Sequence, residues 1–210
     1  MILSSSLHKS NVIFVFRDPN LPAPENHDFM SLFGGEEGKG TQFVDDPFMR
    51  MKILDASKLG IQVAWEGRRL RIEDLAAREP ETSLLAERAV SVLQKLFPAT
   101  LPRLESFGFN VEVYYQNSDV IQIQEMFKNV IPEPFEIGEG LLDFGWQWTK
   151  AHKNGRQVDG YFLKVTAPLE LVIHHNAHFN ESEIPDEKRL INCFSSMYEQ
   201  THVVAKSLKL

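Results

Sequence analysis

The stretch FGFNVEVYY, residues 107–115, alternates apolar side chains with polar or small ones. Successive side chains of a β-strand point to opposite faces, so this alternation predicts a strand with one face on a core and the other toward solvent. The same pattern recurs in residues 59–66, 142–148, 161–165 and 169–173. The chain is therefore expected to build its core on several half-buried strands.

Apolar residues also recur at helical spacing in three stretches. Residues 83–97 carry a stripe of leucine, valine and alanine, with Thr82 available as N-cap and Pro98 as terminator. A shorter helix is predicted to begin at Asp119. Residues 185–208 carry the widest apolar stripe, and its acidic start suits the positive end of a helix dipole.

The order of these elements is similar in the two halves of the chain. The first half gives a strand (about 11–17), a long loop, three strands (about 49–73) and a helix, and the second gives a strand (about 107–116), a short helix, three strands (about 141–175) and a helix. Strands joined by hairpins and followed by a helix favour an α+β fold, with antiparallel sheet and helices on one face. We therefore predict one domain over residues 1–210, formed by two β-x-βββ-α half-repeats, 1–105 and 106–210.

A long segment, residues 18–48, separates the first predicted strand from the next ones. Its proline and glycine content predicts an inter-strand loop, and loops of this length are often functional or mobile. A helical turn that packs back on the core is expected where four apolar residues cluster, at Phe29, Met30, Leu32 and Phe33.

The same loop contains GGEEGKGT, residues 34–41, whose glycines and lysine suggest a phosphate-binding loop. That motif needs four residues between its first glycine and the Gly-Lys pair, and Ser or Thr directly after the lysine. Here only three residues follow Gly34 before that pair, and Gly40 separates Lys39 from Thr41. Two glutamates would also repel a phosphate, so we predict an acidic loop and no bound cofactor.

Composition and charge exclude several classes of protein. The 210 residues are 43% hydrophobic and 24% charged, which is typical of a globular domain. The net charge of −7 disfavours nucleic-acid binding, which relies on the neutralisation of phosphates. No signal-peptide pattern and no membrane-length apolar run occur. The single cysteine, Cys193, is expected to be buried and inert, and a cytoplasmic protein without disulfides is predicted.

Three histidines cluster at the end of a predicted strand, at His174, His175 and His178. On a continuous strand His174 and His178 share a face but lie about 13 Å apart, too far to bind one metal. A bulge or turn after His175 would bring them together, and Glu181 or Glu183 would complete a metal or acid–base site. The alternative is a polar strand end in which His175 is half buried and structural.

Arg68, Arg69 and Arg71 form the basic concentration of an acidic chain. Arg69 and Arg71 are predicted to share a strand face opposite Leu70 and Ile72. They are candidates for binding an acidic partner or a phosphate group. The other interpretation is a solvated strand face whose arginines pair with nearby glutamates and aspartates.

The sequence contains no recognisable catalytic motif. We therefore expect a non-catalytic interaction or assembly protein that binds a protein partner or a second copy of itself, with Arg68, Arg69 and Arg71 as candidate interaction residues. The alternative is a small-molecule-binding protein or a metal-dependent hydrolase with a site between the sheet and the long loop. Its candidate catalytic residues are His174, His175, His178, Asp45 and Asp46, and its candidate metal ligands are His174 and His178.

Overall fold

The computed structural model describes residues 2–34, 40–118, 143–152 and 155–208. The elements in chain order are β1 (Ile2–Phe16), α1 (Asn26–Met30), β2 (Gln42–Asp46), β3 (Met51–Ala56), a 3-10 turn (Ser57–Leu59), β4 (Ile61–Glu66), β5 (Arg69–Asp74), α2 (Leu85–Leu96), β6 (Leu104–Asn117), β7 (Asp143–His152), β8 (Gly155–Ala167), β9 (Glu170–Phe179) and α3 (Glu187–Ser207). The nine strands form one antiparallel sheet in the order β2-β3-β4-β5-β1-β6-β9-β8-β7. The predicted α+β class with a large antiparallel sheet is confirmed.

The core lies between the sheet and two long helices. Helix α2 packs on β1 and β5, and α3 packs on β6 and β9. Phe107 and Phe109, in the alternating stretch 107–115, are buried on the side of the sheet that faces the helices, which is termed the helix face. The ring of Phe109 stacks on Phe194 of α3, with 5.6 Å between ring centroids. The opposite face of the sheet is termed the outer face below.

The first half of the chain differs from its prediction in two places. Strand β1 begins at Ile2 rather than near residue 11, because the serines at 4–6 conceal a strand that pairs with β6. Strand β2, Gln42–Asp46, lies inside the segment predicted as a loop over 18–48. It is a short strand at one end of the sheet, and its two aspartates and the nearby glycines and proline conceal its alternation.

Residues 18–34 of the long loop pack against the sheet and α2. The expected helical turn is present as α1, and Phe29, Leu32 and Phe33 are buried, but Met30 is 52% exposed and does not pack on the core. Two lysines form hydrogen bonds to the backbone of residues 24–32. Lys52 Nζ donates to the Pro24 carbonyl and Lys95 Nζ donates to the Leu32 carbonyl, each at 2.6 Å. The segment is thus held at both ends by charge-assisted hydrogen bonds.

The two long helices lie where the periodicity predicted them. Thr82 is not the N-cap of α2, which starts later at Leu85, and the Ser83 hydroxyl accepts from the Leu85 N–H at 3.2 Å. Asp186 caps α3 by accepting from the Arg189 N–H at 2.7 Å. The helix predicted to begin at residue 119 lies outside the described residues. Among the described residues we find no helix with the length and apolar character of a membrane span.

Candidate functional site

The turn between β2 and β3 presents two large apolar side chains to solvent. Phe48 is 97% exposed and Met49 is 70% exposed. The turn is nevertheless ordered, because Oδ1 of Asp46 accepts from the backbone N–H of both residues at 3.0 Å. Arg50 closes the turn with φ of 49°, a left-handed conformation that is uncommon outside glycine. Val44 on β2 is 54% exposed, and Val44, Phe48 and Met49 are together termed the edge tip.

A cavity of about 640 Å³ opens beside the edge tip, between residues 19–23 of the long loop and strands β2, β3 and β4. This volume lies within the range of about 300–1,000 Å³ that is usual for ligand pockets. The side chains that line it and matter here are three apolar ones, three cations and one acid: Leu21, Met51, Trp65, Arg50, Lys52, Arg68 and Asp45. It is termed the loop cavity.

The polar groups of the loop cavity are held by neighbouring elements. Asn26 Nδ2 of α1 donates to the Asp45 carboxylate at 3.0 Å. Lys52 points its amine at the loop backbone, as described above, and Arg68 forms an ion pair with Glu105. The loop cavity is therefore lined by both apolar and charged residues, several of which are held in place by neighbouring elements, and Trp65 behind it is buried.

The predicted acids do not meet the predicted histidines. Asp45 lines the loop cavity and Asp46 organises the edge tip, both on β2. In the strand order β2 lies six strand spacings from β9, which carries the histidines. At about 4.8 Å per spacing the separation is roughly 29 Å. A site that combines these acids with the histidines is therefore not formed within one chain.

The three histidines do not converge either. Strand β9 is continuous, so His174 and His178 lie on the outer face while His175 lies on the helix face. His174 Nδ1 is 3.8 Å from a Glu112 carboxylate oxygen, but burial lowers its pKa. Burial, and secondly the charge of Arg69, lower the pKa of His178. Among the described residues, no group of three or more His, Cys, Asp and Glu side chains is placed to bind a metal ion.

His175 belongs instead to a buried polar cluster under α3. Its Nδ1 lies 3.0 Å from the hydroxyl of Thr201, and its Nε2 lies 3.2 Å from Oδ1 of Asp159. Gln157 Nε2 donates to the same Asp159 oxygen at 2.9 Å. The ring of Tyr161 stacks on the imidazole, with centroids 3.9 Å apart. We term these five side chains the buried cluster.

The buried cluster shares its chain of contacts with catalytic relays of nucleophile, base and carboxylate. Here, however, Thr201, His175 and Asp159 are completely buried, which leaves the hydroxyl no access to a substrate. The Thr201 hydroxyl also donates to the Met197 carbonyl at 2.9 Å, as serines and threonines within helices often do. The arrangement is suited to holding α3 on β8 and β9.

The three predicted interaction arginines are separated by the structure. Arg69 and Arg71 lie on the outer face, opposite the buried Leu70 and Ile72, as predicted. Arg71 forms ion pairs with two glutamates, while Arg69 is exposed. Arg68 lies in the turn before β5 and belongs to the loop cavity. Partial neutralisation of the group weakens its attraction for an anionic partner.

Sequence reasoning missed Phe48 and Met49. Phe48 falls at the end of the predicted loop 18–48, and Met49 falls at the start of the predicted strands at about 49–73. One signal was available: the pair follows Asp46-Pro47 and precedes Arg50, a composition typical of a tight turn. Apolar residues within a tight turn lack neighbours to bury them, so they point outward.

No protein-family model and no curated protein matches the chain. Among solved structures, Methanococcus jannaschii TBP is similar at 11% sequence identity and a TM-score of 0.39, over 94% of this chain and 99% of that one. Similarity at this level assigns neither fold nor function.

Proposed function

We propose that the protein is a non-catalytic interaction protein that binds another polypeptide chain through its edge tip. The observation that carries the proposal is the exposure of Phe48, 97%, on a turn that is fixed by hydrogen bonds to Asp46. A rigid aromatic anchor loses little conformational entropy on binding, and aromatic residues are enriched among the residues that dominate interface energy. Burying a Phe or Met side chain contributes about 1.5–3 kcal/mol each.

The surroundings of the edge tip support a protein partner. Phe48 and Met49 are adjacent to a cavity that is lined by both apolar and charged residues. An apolar centre surrounded by charged groups is the usual anatomy of a protein interface. The exposed Val203 on α3 has no such surroundings in the described residues and serves as a matched control.

Site-specific photo-crosslinking tests the proposal. We replace Phe48 with p-benzoylphenylalanine, express the protein in its own cells and irradiate them, with the same substitution at Val203 as control. The expected result is a discrete adduct, heavier than the 24.1 kDa chain, that forms from position 48 and not from position 203. Equal labelling from the two positions, or none from position 48, would show that the edge tip is not an interface.

The loop cavity favours a second candidate function, the binding of an aromatic anion. Leu21 and Met51 among its lining residues suit an apolar ring, and Arg50 and Arg68 suit an acid group. The probe is 1-anilinonaphthalene-8-sulfonate, whose emission is expected to rise with wild type and to fall when Ala23→Trp fills the cavity. Unchanged emission with this variant would count against ligand binding there. The histidine-based hydrolase stays a prediction without a formed site among the described residues.

We also infer that the two halves of the chain are structural repeats. Strands β3-β4-β5-β1 are mirrored in the sheet by β7-β8-β9-β6, and Asn11 faces Asn110 where the two sets meet. Co-expression of residues 1–105 and 106–210 as separate chains tests this inference. Repeats are expected to assemble through β1 and β6 into a folded pair, and two halves that stay unfolded together would contradict it.

A further inference from the structure

We infer that the loop cavity binds an α-amino acid with an apolar side chain, whose carboxylate contacts Arg50 and whose ammonium group contacts Asp45. The inference rests on the second candidate function, ligand binding in the loop cavity, and adds a cationic group to the acid that the ligand carries. It is carried by two side chains of opposite charge that line one cavity without pairing with each other.

The charges of Arg50 and Asp45 are not compensated by the protein around them. Within the described ranges of the chain, neither side chain forms an ion pair. Asp45 accepts a hydrogen bond from Asn26, whose amide is neutral. A ligand with both a carboxylate and an ammonium group supplies each side chain with an oppositely charged partner, and such charge-assisted hydrogen bonds are stronger than neutral ones.

The other two cations of the loop cavity already have partners. Arg68 forms an ion pair with a glutamate of β6, and Lys52 donates from its amine to the Pro24 carbonyl. Lys52 does so although it faces Asp45 across the β2–β3 pair. Among the cations that line the cavity in the described residues, this leaves Arg50 for a ligand carboxylate, which a planar guanidinium binds through two parallel hydrogen bonds.

Both charged side chains extend from backbone that is held in place. Arg50 has a left-handed φ of 49°, which is uncommon for a residue with a long side chain and which recurs at functional sites. Its carbonyl accepts from the Gly67 N–H at 3.0 Å. Asp45 lies within strand β2, and its carboxylate is positioned by the 3.0 Å hydrogen bond from Asn26. A site held in this way loses little conformational entropy when a ligand binds.

The size and the remaining lining residues of the cavity determine which amino acids fit. Leu21 and Met51 supply apolar contacts for a side chain. The cavity of about 640 Å³ is larger than the roughly 150 Å³ that is enough for benzene, so an aromatic ring fits together with the two charged groups. A simple acid is repelled by Asp45, and a simple amine is repelled by Arg50 and Lys52. The mixed charges therefore favour a zwitterion over either.

Three ligands that share one ring test the inference. L-Phenylalanine carries both charged groups, 3-phenylpropionate lacks the ammonium group, and phenethylamine lacks the carboxylate. Each is titrated into the full chain by isothermal calorimetry, up to about 10 mM, which covers a millimolar Kd. We expect phenylalanine to bind at least about tenfold more tightly than either analogue, because each analogue leaves one charged side chain without its partner.

Two variants assign the charged groups of the ligand to residues. Asp45→Asn keeps the shape of the side chain and is expected to weaken phenylalanine binding at least about tenfold, without weakening 3-phenylpropionate. Arg50→Asn removes the cation with a residue that tolerates a left-handed backbone, and it is expected to weaken both acids but not phenethylamine. The matched control is Asp28→Asn, at a partly exposed aspartate of α1 that does not line the cavity, and it is expected to change none of the three affinities. Circular dichroism checks that each variant is folded.

Phenylalanine that binds no more tightly than 3-phenylpropionate would overturn the inference, as would an Asp45→Asn variant that weakens both ligands equally. The emission assay with 1-anilinonaphthalene-8-sulfonate separates this failure from failure of the second candidate function. If the dye binds in the cavity and phenylalanine has no advantage, the cavity binds anions and the inference is wrong. If neither the dye nor any of the three ligands binds, both are wrong.

Discussion

Replacing His175 with leucine tests what holds α3 on the sheet. The substitution nearly preserves volume and apolar packing but removes both ring nitrogens. Those nitrogens contact Thr201 at 3.0 Å and Asp159 at 3.2 Å, all within a completely buried site. Because the Thr201 hydroxyl donates to the Met197 carbonyl, its oxygen is left to accept from His175 Nδ1, and Nε2 of the same ring faces Oδ1 of Asp159.

The expected loss of stability follows from that geometry. Removing one partner of this buried pair costs about 1–3 kcal/mol if the pair is neutral and about 3–5 kcal/mol if it is ionised, because the other partner stays buried without it. Loss of the stacking on Tyr161 adds about 0.5–1.5 kcal/mol. A domain has a free energy of unfolding of about 5–15 kcal/mol, so we expect His175→Leu to be close to the limit of what the fold tolerates.

A double-mutant cycle separates the pair from simple packing. Asp159→Ala removes the other partner, and His175→Leu/Asp159→Ala removes both. We expect the loss in the double variant to be smaller than the sum of the two single losses by about 2 kcal/mol, because neither His175 nor Asp159 is left without the other. Gln157 Nε2 loses its acceptor both in Asp159→Ala and in the double variant, so this cost cancels in the comparison. The measurement is urea unfolding followed by tryptophan fluorescence and by circular dichroism. Thr201→Val is expected to cost about 1–3 kcal/mol, as for one hydrogen bond whose partner stays buried.

Two results would contradict the expected coupling between His175 and Asp159. One is a double variant whose loss equals the sum of the single losses. The other is a loss for His175→Leu below about 1 kcal/mol, which is the contribution of one ordinary hydrogen bond. Either result would mean that His175 and Asp159 stabilise α3 through packing alone. Val203→Ser, at an exposed position of the same helix, is expected to stay within about 0.5 kcal/mol of wild type.

Three further results are expected from acid, steric and chemical perturbation. Burial lowers the pKa of His174, His178 and His202 below the usual 6.5, so on acidification the unfolded chain binds protons before the folded one does. The free energy of unfolding should therefore be at its full value above about pH 6.5 and should fall below that pH. A melting temperature that stays constant from about pH 7.5 to 5 would contradict this expectation. In Gly108→Ala the new Cβ would lie 2.6 Å from a carbonyl oxygen of β9, and a loss of about 1–3 kcal/mol is expected in urea unfolding. Burial raises the pKa of Cys193 to about 11, so a disulfide reagent at about pH 8 should label the unfolded but not the native chain; rapid native labelling would contradict this.

The part of the fold that the sequence predicted is the part with strict alternation. Strand β6 and helix α3 have one face on the core along their whole length, so their apolar residues recur with the period of a strand or a helix. Strand β2 has no such period, because Val44 faces solvent and Asp45 faces the loop cavity. An end strand with one neighbour is under weaker selection for alternation than a central one.

The candidate site could be predicted only in part, for a related reason. A site was predicted between the sheet and the long loop, where the loop cavity lies, and its predicted acid Asp45 lines that cavity. Arg68, predicted separately as an interaction residue, lines it too. The histidines predicted to act with Asp45 or Asp46 lie about six strand spacings away, or roughly 29 Å. Strand order depends on pairing between strands that are distant in the sequence, and it cannot be predicted from the local pattern of residues. Exposure of Phe48 is likewise a property of the folded turn.

The features of the β2 edge favour binding through its exposed side chains over pairing of two edge strands. An unprotected edge strand recruits other chains through its free backbone groups, and proteins guard against this with short strands, charges and proline. Strand β2 has five residues, two of them the acids Asp45 and Asp46, and Pro47 follows directly. The chain thus blocks backbone pairing where it exposes Phe48. Asp45→Asn/Asp46→Asn removes these charges. We expect this variant to form assemblies that are larger than the wild-type species and that bind thioflavin. A variant that remains at the size of wild type would mean that these acids do not guard the edge.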